Sequence, residues 1–231
     1  MPWSKTLAAL VVTIAWADYA ALPAASQQPP LSPPPKFVVV LDAAHGGNDA
    51  GGRLDSGQLE NAVNLALSVR LRSLLGARGI QVVTTREADV TVDLNKRAEI
   101  ANHANAGACL SLHATETGSG VHLFASSLPP AQPSHFAAWK TAQGPWVTRS
   151  LALAGVLNSA LTHASINVTL GRTALPGLDS MTCPALAVEI GPERGEGNKI
   201  TAEPDNFDYQ AKIATALAAA VLEWRTEAHQ P

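Results

Sequence analysis

The most informative stretch of the sequence for the fold is Phe37-Val-Val-Val-Leu-Asp-Ala-Ala-His-Gly-Gly-Asn-Asp-Ala-Gly-Gly52. Its first half is a short apolar run rich in valine, which is typical of a strand covered on both faces in the centre of a parallel sheet. Its second half is a glycine-rich turn that carries His45. Glycine lets the backbone approach an ion or a substrate closely. The stretch therefore predicts a central strand that presents one imidazole at its end.

Further along the chain, apolar runs alternate with stretches in which apolar residues recur at three- and four-residue steps. The runs predict strands over residues 36–41, 80–85, 108–113, 120–125 and 185–190, and the periodic stretches predict helices over residues 58–78, 93–106, 147–163 and 209–227. This alternation predicts an α/β fold with a mainly parallel central sheet flanked by helices on both faces. In such sheets ligands bind at the carboxyl ends of the strands.

Three ionisable residues fall at predicted strand ends: His45, His113 and Glu189. Glu60 begins the first predicted helix just after the glycine turn, so its carboxylate should lie beside His45. Two imidazoles and one carboxylate are a common ligand set for zinc in hydrolases, and they leave the fourth position to water. We therefore predict that His45, Glu60 and His113 hold one Zn²⁺ and that Glu189 transfers protons, first as base and then as acid. The spacing matches no compact metal motif such as HExxH, so these residues alone leave the assignment open.

The N-terminus predicts export. Residues 6–17 carry no charge after Lys5, and Ala15-Trp-Ala17 offers small residues where a signal peptidase cleaves, so residues 1–17 are expected to be a signal peptide. An uncleaved membrane anchor is the alternative. A proline-rich linker is expected over residues 18–35, followed by one catalytic domain over residues 36–231.

Charge and cysteine content narrow the class of protein. The 16 basic and 19 acidic residues form no basic block, which argues against nucleic acid as a partner. The two cysteines, Cys109 and Cys183, are too few for a disulfide framework. We expect them to be buried free thiols, although export would permit a single bridge.

The ordered motifs resemble those of the zinc-dependent N-acetylmuramoyl-L-alanine amidases of the type-3 family, and the likeness extends from residue 36 to the end. Asp42 to Gly51 fits the family's Asp-x-x-His-Gly-Gly-x-Asp-x-Gly loop. The other matching motifs, in the family's order, are Glu60-Asn-Ala-Val-Asn-Leu-Ala66, Thr85-Arg-Glu-Ala-Asp89, Leu94 to Asn102, Ser111-Leu-His-Ala114 and Val188-Glu189.

The resemblance implies a site and a reaction. It makes His45, Glu60 and His113 the zinc ligands and Glu189 the catalytic glutamate. Zinc-activated water would attack the lactyl carbonyl of muramic acid and expel the amine of the stem peptide, with peptidoglycan as the substrate. The protein would act in the periplasm or at the cell wall, and we expect a monomer. The family includes members that an activator must open, and the sequence leaves that requirement undecided.

The chain departs from the family pattern after the catalytic glutamate. The family usually reads Gly-Phe-(Ile/Leu)-Ser-Asn, whereas this chain has the longer and more charged Gly191-Pro-Glu-Arg-Gly-Glu-Gly-Asn198. The family's His-Ala-Asn becomes His113-Ala-Thr115, so the rim of the pocket should differ. Glu193 and Glu196 are minor rivals of Glu189 for the proton-transfer role. Two alternatives stay open: a zinc carboxypeptidase or other amide hydrolase on wall peptides, and a peptidoglycan-binding module without catalysis.

Charged residues near the motifs have simpler interpretations as well. Arg86 and Arg97 are expected to make local salt links rather than to bind substrate. Asp42 or Asp49 could accept a proton from the ring of His45, or merely close a turn. Four further histidines lack a ligand-like setting and are expected to be solvated or structural: His103, His122, His135 and His163.

Overall fold

The computed structural model describes Met1, residues 36–133 and residues 138–228. Apart from Met1, the predicted signal peptide and linker lie outside these residues. Contacts divide the chain into Met1–Pro34 and Pro35–Pro231, and the second unit holds all the secondary structure described below. No helix within the described residues is long and apolar enough to cross a membrane.

Six strands form the central sheet in the order β2-β1-β3-β6-β4-β5. Their bounds are β1 Val38–Ala43, β2 Gln81–Thr84, β3 Ala108–Ala114, β4 Val121–Ser126, β5 Val168–Thr173 and β6 Ala185–Ile190. β2, β1, β3 and β6 are parallel, whereas β4 pairs with β6 in the antiparallel sense and β5 lies parallel to β4. The carboxyl ends of β1, β3 and β6 therefore share one edge of the sheet with the beginning of β4.

Four helices cover the sheet: α1 Glu60–Gly76, α2 Leu94–His103, α3 Val147–His163 and α4 Phe207–Ala228. α1, α3 and α4 pack on one face through fully buried leucines, of which Leu67, Leu71 and Leu157 are examples. Each such leucine contributes about 1.5–3 kcal/mol through burial. The opposite face has a smaller core, built from α2 and the residues around Leu178 and Met181. That face is the thinly covered one.

The structure confirms the predicted α/β class and all nine predicted strands and helices, with shifts of one to a few residues at their ends. Two features were not predicted. β5 is an exposed edge strand, and β7 Glu193–Arg194 forms a small antiparallel ribbon with β8 Ile200–Ala202.

The expectation of free thiols is wrong, because Cys109 and Cys183 form a disulfide. Cys109 lies at the start of β3, and Cys183 comes two residues before the neighbouring parallel strand β6. The pairing of Cys109 with Ala185 brings the two Cα atoms to 6.2 Å, which is within reach of a bridge. A separation of 74 residues in sequence hides this proximity.

Candidate metal centre

Three of the predicted site residues converge at the shared edge of the sheet. His45 follows β1, Glu60 begins α1, and His113 lies near the end of β3. One donor atom from each lies within 4.8 Å of the other two, so this cluster could hold a metal ion. The carboxylate oxygen Oε1 of Glu60 lies 3.2 Å from Nε2 of His45 and 3.0 Å from Nδ1 of His113.

The glycine turn fixes where Glu60 stands. The first amides of α1 bond to this turn: the N–H of Glu60 donates to the carbonyl of Gly52 (2.9 Å), and the N–H of Asn61 donates to the carbonyl of Ala50 (3.1 Å). These bonds satisfy helix-start donors that lack intrahelical partners. Gly51 has a φ of +68°, and a Cβ there would come within 2.6 Å of Glu60 Oε2 and 2.8 Å of the His45 ring. Only glycine lets the turn pass so close to both side chains.

His45 itself occupies the left-handed region, with a φ of 62°. A non-glycine residue pays about 1–3 kcal/mol for such a conformation, so the surroundings must hold it. The backbone there is clamped by Arg97, whose guanidinium donates to the carbonyls of Ala43 (2.7 Å) and His45 (2.6 Å). Arg86 donates to the carbonyls of Ala43 (2.8 Å) and Ala44 (3.1 Å). Two buried arginines therefore hold three consecutive carbonyls that end in His45.

Arg97 makes the expected salt link, because it pairs with Asp42 at 2.7 Å and both side chains are almost fully buried, at 4% and 6% exposure. Within the described residues, the hydrogen bonds of Arg86 all go to main-chain carbonyls, including that of Asn61 at the start of α1 (2.7 Å). In neither case does the guanidinium lie free for a substrate. Asp89, from the same motif as Arg86, accepts from the N–H of Gly47 at 2.7 Å.

The second ring nitrogen of each histidine also has a neighbour. Asp49 lies 2.8 Å from Nδ1 of His45, and its other oxygen accepts the N–H of Gly51 at 3.1 Å, so this aspartate both orients the ring and closes the turn. Ser111 lies 3.4 Å from Nε2 of His113 and donates its hydroxyl proton to Asp42 at 2.7 Å. These contacts direct Nε2 of His45 and Nδ1 of His113 toward Glu60.

The charges of the cluster are strongly coupled. The hydrogen bond to Glu60 raises the pKa of His45 to about 9, against a smaller effect of burial, and Asp49 adds to the rise. For Glu60, burial alone would raise the pKa, but the hydrogen bonds from His113, His45 and the N–H of Gly52 together bring the pKa well below its usual range. His45 and Glu60 thus each stabilise the charged form of the other.

Glu189 lies beside the cluster on β6. It is the register partner of His113 on β3 and of His122 on β4, so the three side chains share one face of the sheet. Nδ1 of His122 lies 2.9 Å from Oε2 of Glu189. The expectation that His122 is merely solvated or structural missed this contact. The contact depends on the antiparallel pairing of β4 with β6, which places the second residue of β4 beside Glu189 and which no local sequence pattern predicts.

The other sequence candidates lie apart from the cluster. His103 and His163 are exposed and donate to carbonyls one turn earlier in their own helices, and His135 lies outside the described residues. Glu193, a possible rival of Glu189, pairs with Lys212 at 2.9 Å and contacts Thr201.

A cavity of about 430 Å³ adjoins the cluster on the thinly covered face of the sheet. His45, His113 and Ser111 line one side of it. Apolar side chains from two other segments also line the cavity. They are Val92 and Leu94, before and in α2, and Leu175, Pro176, Leu178 and Met181, before β6. A substrate group can therefore approach the two imidazoles from this side.

Solved structures with a similar fold include amidases. The N-acetylmuramoyl-L-alanine amidase AmiC2 of Nostoc punctiforme superimposes with a TM-score of 0.63 and 25% identity, over 83% of this chain and 98% of that one. The amidase Ami1 of Mycobacterium abscessus gives a TM-score of 0.66 at 22% identity, over 82% of this chain and 98% of that one, and shows the same fold.

Sequence comparison assigns the family. The family described as N-acetylmuramoyl-L-alanine amidase matches residues 39–223, and the chain belongs to this family. The amidase AmiA of Escherichia coli is 38% identical over 96 residues, which are 40% of this chain and 33% of that protein. The germination-specific amidase of Bacillus subtilis is 24% identical over 215 residues, 84% of this chain and 82% of that protein. The chain thus matches about one third of the length of AmiA.

Proposed function

We propose that this protein is a zinc-dependent amidase that cleaves the bond between the lactyl group of N-acetylmuramic acid and the L-alanine of the peptidoglycan stem peptide. The observation that carries the proposal is the convergence of His45, Glu60 and His113, with Glu189 on the adjacent strand. Family membership supports the same chemistry.

The residues fit a zinc ion. Two imidazole nitrogens and one carboxylate oxygen are a usual zinc set, and a catalytic site keeps one position open. The cavity beside His45 and His113 provides space for that open position. Asp49 supports the assignment, because a carboxylate on the second ring nitrogen is typical of a metal-ligating histidine. When bound, Zn²⁺ lowers the pKa of a coordinated water to about 7 and polarises the carbonyl under attack.

Each side chain then has a defined role. His45, Glu60 and His113 would hold the ion, and Arg86 and Arg97 keep the backbone at His45 in place. Glu189 takes one proton from the attacking water and gives it to the stem-peptide nitrogen as the C–N bond breaks. The products are a free lactyl carboxyl group on the sugar and a free amine on the peptide.

Mass spectrometry of a defined disaccharide-peptide muropeptide tests this proposal. The full-length chain alone, without added partner, should release intact stem peptide and free disaccharide; chelation should abolish the release, and Zn²⁺ should restore it. Shortened peptides still attached to sugar would contradict the proposed bond and point to a peptidase. Binding of the muropeptide without any product, unaffected by chelation, would point to a binding module.

We further propose export to the periplasm or the cell surface, with residues 1–17 as signal peptide and residues 18–35 as linker. The disulfide between Cys109 and Cys183 supports export, because such bridges persist in oxidising compartments. Peptidoglycan is then the partner, and we expect a monomer without affinity for nucleic acid. Size-exclusion chromatography with light scattering should give the mass of one chain.

A further inference from the structure

His122 is placed to act on Glu189. It is the second residue of β4, and the antiparallel pairing with β6 sets it directly across from Glu189. His113 faces Glu189 from the other side, on β3. Three side chains thus stand in a row across three strands, with the carboxylate between two imidazoles. The hydrogen bond of 2.9 Å from His122 goes to one carboxylate oxygen, Oε2.

The imidazole of His122 is enclosed. Its side chain is 12% exposed, whereas that of Glu189 is 32% exposed. A Cβ on Gly118 would overlap the imidazole, and one on Gly191 would come within 3.5 Å of it. Phe124, on the same face of β4, meets the ring edge-on at 6.4 Å between centroids. The ring therefore occupies space that is open because Gly118 has no side chain, and it lies in van der Waals range of Gly191.

The unusual segment after Glu189 closes this pocket. Gly191 and Gly120 are joined by a backbone bond of 2.8 Å, and the N–H of Gly120 also donates to the carbonyl of Pro192 at 3.0 Å. Arg194 donates to the carbonyl of Gly118 at 2.9 Å and to that of Asn198 at 3.0 Å. Arg194, one of the charged residues that depart from the family pattern, thus holds the turn that packs on His122.

We propose that His122 is a positioning residue for Glu189, an inference that rests on the proposed function. Nδ1–H of His122 donates to Oε2, which fixes the rotation of the carboxylate and leaves Oε1 for the proton of the attacking water. His122 keeps its own proton throughout. Glu189 gains one proton at Oε1 and passes it to the leaving nitrogen, so the residue pair ends the cycle unchanged.

A matched pair of variants separates this role from simple packing. In asparagine the side-chain nitrogen is attached to Cγ, as Nδ1 is in histidine, and leucine has nearly the same shape as asparagine without the donor. We expect His122→Leu to lower kcat by about 10- to 100-fold, because a hydrogen bond to a charged group is lost. His122→Asn should stay within about fivefold of wild type on the same grounds. Both variants should keep the KM of the wild type and bind one zinc ion per chain.

A second arm asks whether His122 acts through Glu189. In a Glu189→Gln background, His122→Leu should cause no further loss of kcat, since residues that act as a unit are not additive. Equal kcat for His122→Leu and His122→Asn would overturn the proposal. So would a loss of zinc in His122→Leu, or an effect on KM alone.

A spectroscopic readout does not depend on turnover. Nitrogen-15 NMR of histidine-labelled protein, with the His122 signal assigned from His122→Asn, should show a proton on Nδ1 that is lost or shifts to Nε2 in Glu189→Ala. An unprotonated Nδ1 in the wild type would overturn the proposal. If the wild type releases no stem peptide, the proposed amidase function fails, whereas an active wild type with an equally active His122→Leu overturns only the role of His122.

Discussion

The proposed metal side of the site, with His45, Glu60 and His113, and its proposed proton-transfer side, with Glu189, are built in opposite ways. On the metal side, the backbone at His45 is held by Arg86 and Arg97, and the carboxylate of Glu60 is 10% exposed. On the other side Glu189 is 32% exposed, and its side-chain hydrogen bond within the described residues is to His122. We therefore expect metal binding to be linked to the stability of the fold, and proton transfer to depend on one carboxylate with few contacts.

Loss of a ligand should have the largest effect. His113→Ala removes one of three metal donors, so zinc binding and amidase activity should both be lost. Elemental analysis and muropeptide cleavage measure the two quantities. His163→Ala, which changes an exposed histidine on α3, is the control and should retain both. A His113→Ala protein that binds one zinc as tightly as the wild type would remove His113 from the metal side.

Loss of the buried guanidinium of Arg97 should have the second-largest effect. Arg97→Met leaves Asp42 buried without its cationic partner, removes the donor to the carbonyl of His45 and leaves the carbonyl of Ala43 with Arg86 alone. Breaking a buried ion pair in this way costs about 3–5 kcal/mol, so the free energy of unfolding in urea should fall by that amount. Arg72→Met breaks an exposed pair with Glu87 and should cost at most about 1 kcal/mol. If both variants lost the same free energy of unfolding, the buried contacts of Arg97 would stabilise the fold no more than an exposed ion pair does.

The disulfide joins the two sides, because Cys109 belongs to the strand of His113 and Cys183 precedes the strand of Glu189. Replacing both cysteines by alanine should lower the free energy of unfolding by about 2–4 kcal/mol. Zinc content should persist, since the bridge contacts none of the three donors. Urea unfolding with and without reductant measures the effect, and the double variant should be insensitive to reductant. A wild type that unfolds identically in both conditions would contradict this prediction.

The smallest expected effect is on the pH dependence of zinc affinity, which depends on the residues of the metal side. Glu60 raises the pKa of His45 to about 9, so at pH 7 the metal-free protein carries a proton there that zinc must displace. The apparent affinity for zinc should therefore rise as the pH increases from 7 to about 9, with about one proton released at pH 7. Calorimetry in buffers of different ionisation enthalpy counts that proton. Asp49→Asn should reduce the release, because Asp49 contributes to the raised pKa, and no release at all from the wild type would contradict the assignment.

The sequence predicted the parts of the fold that have strong local patterns. β1 and α1 follow from an apolar run and a three- and four-residue period, and the glycine turn between them led to His45 and Glu60. β5 was missed because it is an exposed edge strand in which Leu170 is more than half exposed, so no apolar face marks it.

The missed parts of the site depend on pairing between distant strands. His122 reaches Glu189 because β4 runs antiparallel to β6, and no local pattern gives the direction of a strand. Cys109 likewise meets Cys183 only because β3 pairs with β6, and no local pattern predicts which strands are neighbours. For Arg86 and Arg97 the sequence predicted salt links but not the hydrogen bonds to backbone carbonyls. Every residue carries a carbonyl oxygen, so no sequence pattern marks these partners.

We propose that metal binding and proton transfer depend on different sides of the site. Zinc content and muropeptide turnover, measured for Glu189→Gln beside the wild type, separate the two. We predict one zinc per chain in both proteins and a loss of turnover of about 10² or more in the variant, because a positioned acid–base group is removed while the ligands stay. Full turnover in Glu189→Gln, or loss of its zinc, would contradict the account.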